Sequence, residues 1–361
     1  MLVDIIAGAR PNFMKIAPII HEIERRALDS NTLSYRLIHT GQHYDRKMSD
    51  DFFEQLNIPH PHYNLESGSG TQAEQTAKIM TRYEALLLES PCDLTLVVGD
   101  VTSTMACSIA AKKLNIKVAH VEAGIRSFDL SMPEEINRMV TDSITDFFFT
   151  TTPLAGQNLL NAGVPSSRIY FVGNVMIDTL YENLSRLRKP HLWDELRLEA
   201  HQFLLMTLHR PNNVDQEDKL KALINEIVNN SNGLPIVFPI HPRTAKVFEK
   251  AGIAHQNLHL VSPLGYLEFN YLVKRAKAVI TDSGGITEET TVLGIPCMTL
   301  RDNTERPETC EIGTNELLGT QIENISPAMK KLFLGDWKKG EIPKFWDGKT
   351  AGRIVDVLLS L

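Results

Sequence analysis

Short apolar runs alternate with longer amphipathic segments along almost the whole chain. A short apolar run bounded by turn-forming residues is typical of a buried strand, whereas apolar residues spaced three and four apart are typical of a helix with one buried face. The runs predicted to be strands are Leu2–Ile6, Leu33–His39, Leu94–Val98, Lys117–Val121, Phe147–Thr150, Phe203–Leu208, Ile236–Ile240, Leu258–Val261, Ala278–Thr281 and Cys297–Leu300. The segments predicted to be helices include Ile16–Ala27, Ala73–Leu88, Ser103–Leu114 and Asp218–Asn229.

Alternating strands and helices predict βαβ units, and therefore parallel sheets with helices on both faces. With about five predicted strands in each half, two doubly wound, Rossmann-like α/β domains fit the chain better than one large sheet. The length of 361 residues also exceeds the usual size of one domain. The charged stretch 181–200 lacks a predicted strand and marks the boundary region; we assign residues 1–172 to an N-terminal domain and residues 173–344 to a C-terminal domain.

Composition and charge exclude several kinds of protein. The chain carries a net charge of −7 without a basic stripe, so no nucleic-acid partner is expected. No apolar run approaches the length that spans a membrane, and Asp4 interrupts the apolar N-terminus, which no cleavage site follows. The four cysteines lie far apart without a Cys-x-x-Cys pair, which argues against structural zinc and against a disulfide framework. We therefore expect a cytoplasmic protein without membrane contact.

Polar and charged residues follow the predicted strands at the points where each strand ends. Ligands bind outside the carboxyl ends of the strands in an open parallel sheet, and two such domains facing each other would direct these residues into one interdomain cleft. One polar residue at a strand end is unremarkable, but a set of them indicates a shared ligand site. The residues are Arg10, Asp100, Glu122, His209, His241, Asp282 and Ser283.

Local structure alone also explains some of these motifs. In the segment SMPEEINR, Ser131 and Glu134 have the spacing of a capping box, and Glu134 and Arg138 have the spacing of a surface ion pair. Spacing by itself favours this structural interpretation of the segment. The pair Gly284-Gly285 fits an ordinary turn, although a glycine turn between a strand and a helix is also where backbone amides gather around a phosphate.

Taken together, six motifs are much more specific than any one of them. They are, in chain order, GARPNFMK, GDVTST, HVEAGIRS, MPEEINR, TDSGGITEE and RDNTERPE. From residue 1 to about residue 320 the chain resembles the non-hydrolysing UDP-N-acetylglucosamine 2-epimerases. The resemblance implies the GT-B architecture, in which two Rossmann-like domains face a cleft that holds the UDP-sugar. It also implies that a C-terminal helix, residues 345–361, joins the N-terminal domain, that the protein is a homodimer, and that it serves polysaccharide biosynthesis.

The resemblance implies a UDP-binding set that lies mostly in the second domain. Ser283, Gly284 and Gly285 would hold the diphosphate at a helix N-terminus, and Glu289 would accept hydrogen bonds from the ribose hydroxyls. Glu288 is expected to favour the helix dipole or to face solvent. The other substrate-binding residues implied by the family are Arg10, Lys15, His241, Phe269 and Arg306, with Phe269 near the uracil and both arginines on the diphosphate.

The resemblance also implies a reaction, which is inversion of carbon 2 through elimination of UDP to a bound glycal and its re-addition. The residues that match the family's catalytic groups are Asp100, Glu122, Glu134, Arg138 and His209. Clustered carboxylates push one another's pKa values apart, so that one can act as an acid while another acts as a base. No cofactor and no metal is expected, and the AGARPN turn is not a dinucleotide fingerprint.

Four alternatives stay open at the level of the sequence. A related enzyme could epimerise another UDP-amino sugar, such as a diacetamido uronic acid or a 6-deoxy sugar, by the same chemistry. A hydrolysing epimerase would release the free sugar if water reached the glycal. A GT-B glycosyltransferase would need an acceptor site and would have no use for the three acids Asp100, Glu122 and Glu134. A non-catalytic UDP-sugar binder would not need them either.

Overall fold

In the computed structural model, residues 1–28, 32–41, 53–240 and 242–361 are described. The chain divides into two compact units, the first comprising residues 1–182 and 344–361 and the second residues 183–343. Each unit is built on one parallel sheet. The prediction of two doubly wound α/β domains is therefore confirmed.

The first unit contains a sheet of seven parallel strands among the described residues, in the order β3-β2-β1-β4-β5-β6-β7. The strands are β1 (Leu2–Ala7), β2 (Ser34–His39), β3 (Tyr63–Asn64), β4 (Leu94–Val98), β5 (Lys117–Val121), β6 (Phe147–Thr150) and β7 (Ile169–Phe171). The helices whose two ends both lie among its described residues, up to residue 183, are α1 (Arg10–Ala27), α2 (Gln72–Glu89), α3 (Thr102–Lys113), α4 (Pro133–Ile144), α5 (Pro153–Asn161) and α6 (Val175–Asn183). The central strands are buried throughout because helices cover both faces of the sheet.

The second unit contains a sheet of six parallel strands among its described residues, in the order β10-β9-β8-β11-β12-β13. The strands are β8 (Leu204–Thr207), β9 (Ile236–Pro239), β10 (Leu258–Val261), β11 (Ala278–Thr281), β12 (Cys297–Thr299) and β13 (Asn315–Leu317). The helices are α7 (Leu192–Glu195), α8 (Pro211–Val214), α9 (Glu217–Asn229), α10 (Pro242–Ala251), α11 (Tyr266–Val273), α12 (Gly284–Leu293), α13 (Pro307–Glu311) and α14 (Ile325–Leu334).

Both sheets reverse their strand order at one point, which is where ligands bind in such folds. The reversal lies between β1 and β4 in the first unit and between β8 and β11 in the second. The loop after β1 leads directly to Arg10, and the loops after the other three strands carry Asp100, His209 and Asp282. The topology therefore places the polar strand ends of each unit at its own switch point.

The last helix, α15 (Thr350–Ser360), belongs to the first unit. Its Ala351 amide donates to Asp178 Oδ2 at 2.7 Å, and the preceding Trp346 is fully buried, with its indole N–H directed at the Thr151 carbonyl. Asp178 lies on α6, whose Thr179 hydroxyl donates to the Met14 carbonyl of α1. The first unit therefore continues to residue 182, past the predicted division at 172/173, because α6 packs with α1 and α15.

No helix in the described ranges is both long and apolar enough to cross a membrane.

Candidate active site

The loop between β1 and α1 is held in place by Asn12. The Asn12 side chain accepts hydrogen bonds from the amides of Gly8 and Ala9 at 3.0 and 2.9 Å, and it donates to the Val98 carbonyl at the end of β4 at 3.1 Å. It thus ties together the two strands that flank the switch point. Arg10 is the first residue of α1, but its side chain lies outside what the structure describes. Asn12 was not predicted as a site residue, and the only sequence signal for it was its place in the GARPNFMK motif.

Glu122 and Lys15 form a buried ion pair at the switch point of the first unit. Lys15 Nζ lies 2.6 Å from Glu122 Oε2, and the two side chains are 11% and 3% exposed. Glu122 has a φ of +71°, a left-handed conformation that non-glycine residues rarely adopt and that is often associated with function. Gly99 has a φ of +67°, and a Cβ there would lie 2.8 Å from Lys15 Nζ. Gly99 therefore leaves the space that the lysine occupies.

Asp100 is held by α4. Arg138 Nε donates to Asp100 Oδ2 at 3.0 Å, and the Asn137 side chain donates to the Asp100 carbonyl at 2.8 Å. Arg138 is buried and also donates to Glu135 Oε2 at 2.8 Å, whereas the Asp100 side chain remains 28% exposed. The guanidinium group therefore fixes a carboxylate that a ligand can still reach.

The structural interpretation of SMPEEINR is wrong on both points. Helix α4 begins at Pro133 after Met132, without a side-chain cap, and the Ser131 hydroxyl donates to Asp129 instead. Arg138 pairs with Asp100 and Glu135, not with Glu134. Glu134 is half-buried, and its carboxylate has no hydrogen-bond or ion-pair partner in the described part of the chain.

Glu135 is buried and is held from three sides. Its carboxylate accepts hydrogen bonds from the Ser127 and Phe128 amides at 3.0 and 3.1 Å as well as from Arg138. Burial alone would raise the pKa of Glu135, but these backbone hydrogen bonds and Arg138 together hold it below its ordinary value. Two adjacent acids on α4 thus have different surroundings, since Glu135 is buried and hydrogen-bonded whereas Glu134 is half-buried and lacks a partner among the described residues.

A buried His120 supports the Gly99–Asp100 turn and was not predicted from the sequence. Its Nδ1 lies 2.7 Å from Asp142 Oδ1 and its Nε2 lies 2.8 Å from the Gly99 carbonyl, which can only accept a hydrogen bond. Arg126 lies 2.7 Å from Asp142 Oδ2. Burial would raise the pKa of Asp142, but His120 and Arg126 outweigh it and lower the pKa. Within HVEAGIRS, the histidine and arginine therefore position the loop that carries Asp100.

In the second unit, Asp282 orients His209 at the switch point. His209 Nδ1 lies 2.8 Å from Asp282 Oδ1, and the Asp282 carboxylate also accepts from the backbone amides of His209 and Arg210. The aspartate is fully buried, whereas the His209 side chain is 61% exposed. Burial would raise the pKa of Asp282, but the contacts with His209 lower it. The imidazole is thus oriented by a buried anion while much of the ring faces solvent.

Ser283, Gly284 and Gly285 form the N-terminal end of α12. Ser283 is the N-cap, and its side chain makes no capping hydrogen bond to the helix. All three residues are partly exposed. The first amides of a helix carry a partial positive charge and have no partner within the helix, so this end of α12 can bind an anion.

Glu288 is buried and paired with Arg306, which corrects the expectation that it would favour the dipole or face solvent. The side chains of Glu288 and Arg306 are 1% and 9% exposed, and Arg306 Nε donates to Glu288 Oε1. Arg306 follows β12 in the chain and lies at the N-terminal end of α13. The predicted phosphate-binding arginine is therefore anchored from behind by an internal carboxylate.

Glu289 lies deeper in α12 and is 4% exposed. It accepts a hydrogen bond from the Asn270 side chain of α11 at 3.2 Å. Burial raises the pKa of Glu289 to about 7, although hydrogen bonds from Tyr266 and Asn270 lower it in part. Phe269, the predicted uracil contact, lies on the same helix α11 and packs partly buried against the core. His241 lies outside the described residues.

The structure therefore brings the predicted site residues together in two groups. The first unit holds Lys15, Asp100, Glu122, Glu134 and Arg138 on β-strand ends and on α4 or α1. The second unit holds His209, Phe269, Ser283, Gly284, Gly285, Glu289 and Arg306. Among the described residues, no group of three or more His, Cys, Asp or Glu side chains could hold a metal ion. The four cysteines form no disulfide.

The raised pKa of Glu289 predicts a pH-dependent gain of stability in Glu289→Gln. A folded-state pKa of about 7 against an ordinary 4.5 means that the free energy of unfolding falls as the pH rises between these values. Above pH 7 the ionised carboxylate costs on the order of 3 kcal/mol, which the glutamine avoids. Calorimetry should find the variant more stable than the wild type at pH 8, with little difference below pH 4.5.

The matched control is Glu288→Gln, which removes the carboxylate partner of a buried arginine and should lower the melting temperature at pH 8. Glu308, whose pKa burial also raises to about 7, is present in both the wild type and Glu289→Gln, so its contribution cancels in the difference between these two proteins. An equal stability difference for Glu289→Gln at both pH values would contradict the prediction.

A comparison with protein families finds one match across most of the chain. The model of the family described as UDP-N-acetylglucosamine 2-epimerase matches residues 26–359. A UDP-N-acetylglucosamine 2-epimerase of Methanocaldococcus jannaschii is 42% identical, over 99% of this chain and 99% of that protein. A UDP-2,3-diacetamido-2,3-dideoxy-D-glucuronate 2-epimerase of Pseudomonas aeruginosa is 38% identical, again over 99% of both chains.

Among solved structures, the crystal structure of the Methanocaldococcus jannaschii UDP-GlcNAc 2-epimerase in complex with UDP-GlcNAc and UDP is similar over the full length of both chains. Its TM-score is 0.88 and its sequence identity is 40%. The likeness therefore covers both units of the fold.

Proposed function

The chain belongs to the UDP-N-acetylglucosamine 2-epimerase family, and from that premise we propose that it interconverts UDP-N-acetylglucosamine and UDP-N-acetylmannosamine by inverting carbon 2. One observation carries the proposal. At the switch point of the first sheet two carboxylates, Asp100 and Glu122, are each fixed by a buried cation, Arg138 and Lys15. Two such carboxylates at one site can act as the separate proton-transfer groups that inversion of a carbon centre requires.

The chemistry demands more than one proton-transfer group. Carbon 2 has no adjacent carbonyl, so its proton is not acidic enough for direct removal. We propose that the bond from carbon 1 to the diphosphate oxygen breaks with its electron pair leaving on UDP, while a carboxylate takes the carbon 2 proton, which leaves a glycal. UDP then adds back at carbon 1 and a carboxylic acid delivers a proton to the other face of carbon 2. One group could only restore the original configuration.

Asp100, Glu122 and Glu134 are the proposed acids and bases for these steps. Lys15 contacts Glu122 at 2.6 Å and Arg138 contacts Asp100 at 3.0 Å, so both carboxylates are held in position. Glu134 stands on the first turn of α4, ahead of the Asn137 and Arg138 that hold Asp100. Carboxylates also favour the positive charge that develops at carbon 1 as the diphosphate leaves.

The second unit is proposed to bind UDP. The N-terminal amides of α12, from Ser283 to Gly285, would hold the diphosphate with Arg306, and His209 would support the charge of the departing UDP. Glu289 would accept hydrogen bonds from the ribose, and Phe269 would contact the uracil. Glu289 can bind the ribose although it is buried, because hydrogen bonds from two ribose hydroxyls favour the carboxylate form. Arg10 and His241 remain predicted ligands.

A second candidate substrate is a UDP-diacetamido uronic acid. The relative from Pseudomonas aeruginosa is named for that substrate and is 38% identical, only slightly less than the relative named for UDP-N-acetylglucosamine. Both candidates use the same elimination and re-addition, so they are distinguished by comparing kcat/KM for the two sugars under the same conditions.

The experiment that tests the function is a proton NMR time course of UDP-N-acetylglucosamine with the protein in deuterated water. The expected result is the manno epimer with deuterium at carbon 2 and with UDP still attached at equilibrium. Release of free N-acetylmannosamine and UDP would instead identify a hydrolysing enzyme. Tight UDP binding without exchange at carbon 2 for either sugar would contradict an epimerase function.

We further propose that the protein works in the cytoplasm and as a homodimer. The first inference is supported by four cysteines that form no disulfide. The second rests on the resemblance to the family, and the mass in solution measured by light scattering would test it.

A further inference from the structure

Arg301 is a buried arginine that the proposed function does not use. It is the second residue after β12, and its side chain is only 3% exposed. Nη2 donates to Glu305 Oε2 at 2.5 Å and to Asn303 Oδ1 at 3.3 Å. Nε and Nη1 have no hydrogen-bond partner among the residues that the structure describes.

Leaving charged donors without acceptors in a protein interior is costly. A buried donor without an acceptor keeps the full cost of its desolvation, and this cost is larger when the group is charged. Most buried polar groups in folded proteins therefore have partners, and an exception calls for an explanation. A guanidinium group also donates in two directions at once, which suits it to phosphate oxygens.

The Arg301–Glu305 pair lies against the N-terminal end of α12. A Cβ added at Gly284 would lie 3.2 Å from Glu305 Oε1 and 3.7 Å from Arg301 Nη1. Both side chains therefore reach the first turn of a ten-residue helix, beside amides that attract negative charge. In the structure, the anion at this position is the carboxylate of Glu305.

We propose that Arg301 is a ligand of the diphosphate, and that Glu305 occupies part of the same site as an internal competitor that a diphosphate displaces. The inference deepens the proposed function and rests on it. When the Glu305 carboxylate turns away, the phosphate oxygens supply acceptors to Nε, Nη1 and the amides of α12. The positive charge at the site is thereby offset by an anion in either arrangement.

The order of the residues explains how the exchange can occur locally. Glu305 lies in the loop between β12 and α13 and is partly exposed, whereas Arg301 at the start of that loop is buried. Arg306, the next residue after Glu305, is anchored separately by Glu288 on α12. The carboxylate can therefore move while Arg306 stays on Glu288 and Arg301 keeps its contact with Asn303.

The test is isothermal titration calorimetry, which measures the dissociation constants of UDP, pyrophosphate and uridine for the full-length wild type and two variants. Glu305→Gln keeps the shape of the side chain but removes its charge, so UDP and pyrophosphate should bind roughly three- to tenfold more tightly. Arg301→Gln should weaken the binding of both roughly 10- to 100-fold. The affinity for uridine, which lacks the diphosphate, should change by no more than about twofold in either variant.

Glu217→Gln is the matched control, since Glu217 also pairs with a cation, Lys250, within the second unit, on α9. It should leave all three affinities unchanged. If Arg301→Gln fails to fold, the sign of the effect in Glu305→Gln still decides, because a purely structural ion pair predicts weaker or unchanged UDP binding when it is broken. That result would overturn the inference alone. A wild type that does not bind UDP would overturn the proposed function and this inference with it.

Discussion

Replacing Glu134 with glutamine should lower kcat by roughly 10²- to 10⁴-fold, the range for loss of a general acid or base, with little change in the melting temperature. The glutamine keeps the size of the side chain but cannot take up or deliver a proton at neutral pH. Glu134 is half-buried and has no hydrogen-bond or ion-pair partner in the described ranges, so its charge supports the fold only through the weak attraction of a first-turn acid to the helix dipole. Steady-state kinetics and calorimetry on the same preparation measure both effects.

The neighbouring acid provides the contrast. Glu135→Gln carries the same chemical change one residue along α4, but this carboxylate is buried and binds Arg138 and two backbone amides. Removing its charge leaves a buried arginine short of an anion, and losses of about 3–5 kcal/mol are typical of such changes. The melting temperature should therefore fall. A Glu134→Gln variant that keeps full activity, or one that unfolds like Glu135→Gln, would contradict the roles assigned to the two acids.

The second large effect is expected for Glu122→Gln. We expect kcat/KM to fall by roughly 10²- to 10⁴-fold, together with the rate of deuterium entry at carbon 2. The reason is that Glu122 lies 2.6 Å from Lys15 at the switch point and is held in a strained left-handed backbone conformation, which a fold retains only when the surroundings enforce it. The two rates are measured by steady-state kinetics and by proton NMR in deuterated water.

A matched control for Glu122→Gln is Asp146→Asn. Asp146 also pairs with a lysine, Lys112, at 2.9 Å in the first unit, but it lies at the opposite end of the sheet from the switch-point loops, just before β6. Its replacement should change kcat/KM by no more than about twofold. If Glu122→Gln still exchanged the carbon 2 proton at the wild-type rate, Glu122 would not be a proton-transfer group.

Most of the fold could be predicted because its signals are local. All ten predicted strands are present with small shifts at their ends, since parallel strands covered on both faces need continuous apolar runs. The three strands that were missed are β3, β7 and β13, which have two or three residues each and lie at the sheet edges. Such short edge strands have too few residues to show a period.

The candidate site was predictable in its residues but not in their pairing. Asp100, Glu122 and His209 stood out because each follows a predicted strand, which is a property of the chain order. His120 and Arg301 were not predicted as site residues, because nothing in the neighbouring sequence shows that their side chains are buried. His120 contacts Gly99 on the loop after β4, and Arg301 lies near Gly284 at the start of α12, so both surroundings come from other parts of the chain.

The sequence by itself determined the alternation of strands and helices, the two parallel sheets and the loops that carry the polar groups. Only the tertiary structure decided that Arg138 pairs with Asp100 and not with Glu134. It also decided that Glu288 is buried against Arg306 and not exposed to solvent. The physical reason is one of range. Backbone periodicity is set by neighbours within a few residues, whereas the protonation and charge balance of a carboxylate depend on which cation the fold brings within hydrogen-bond distance.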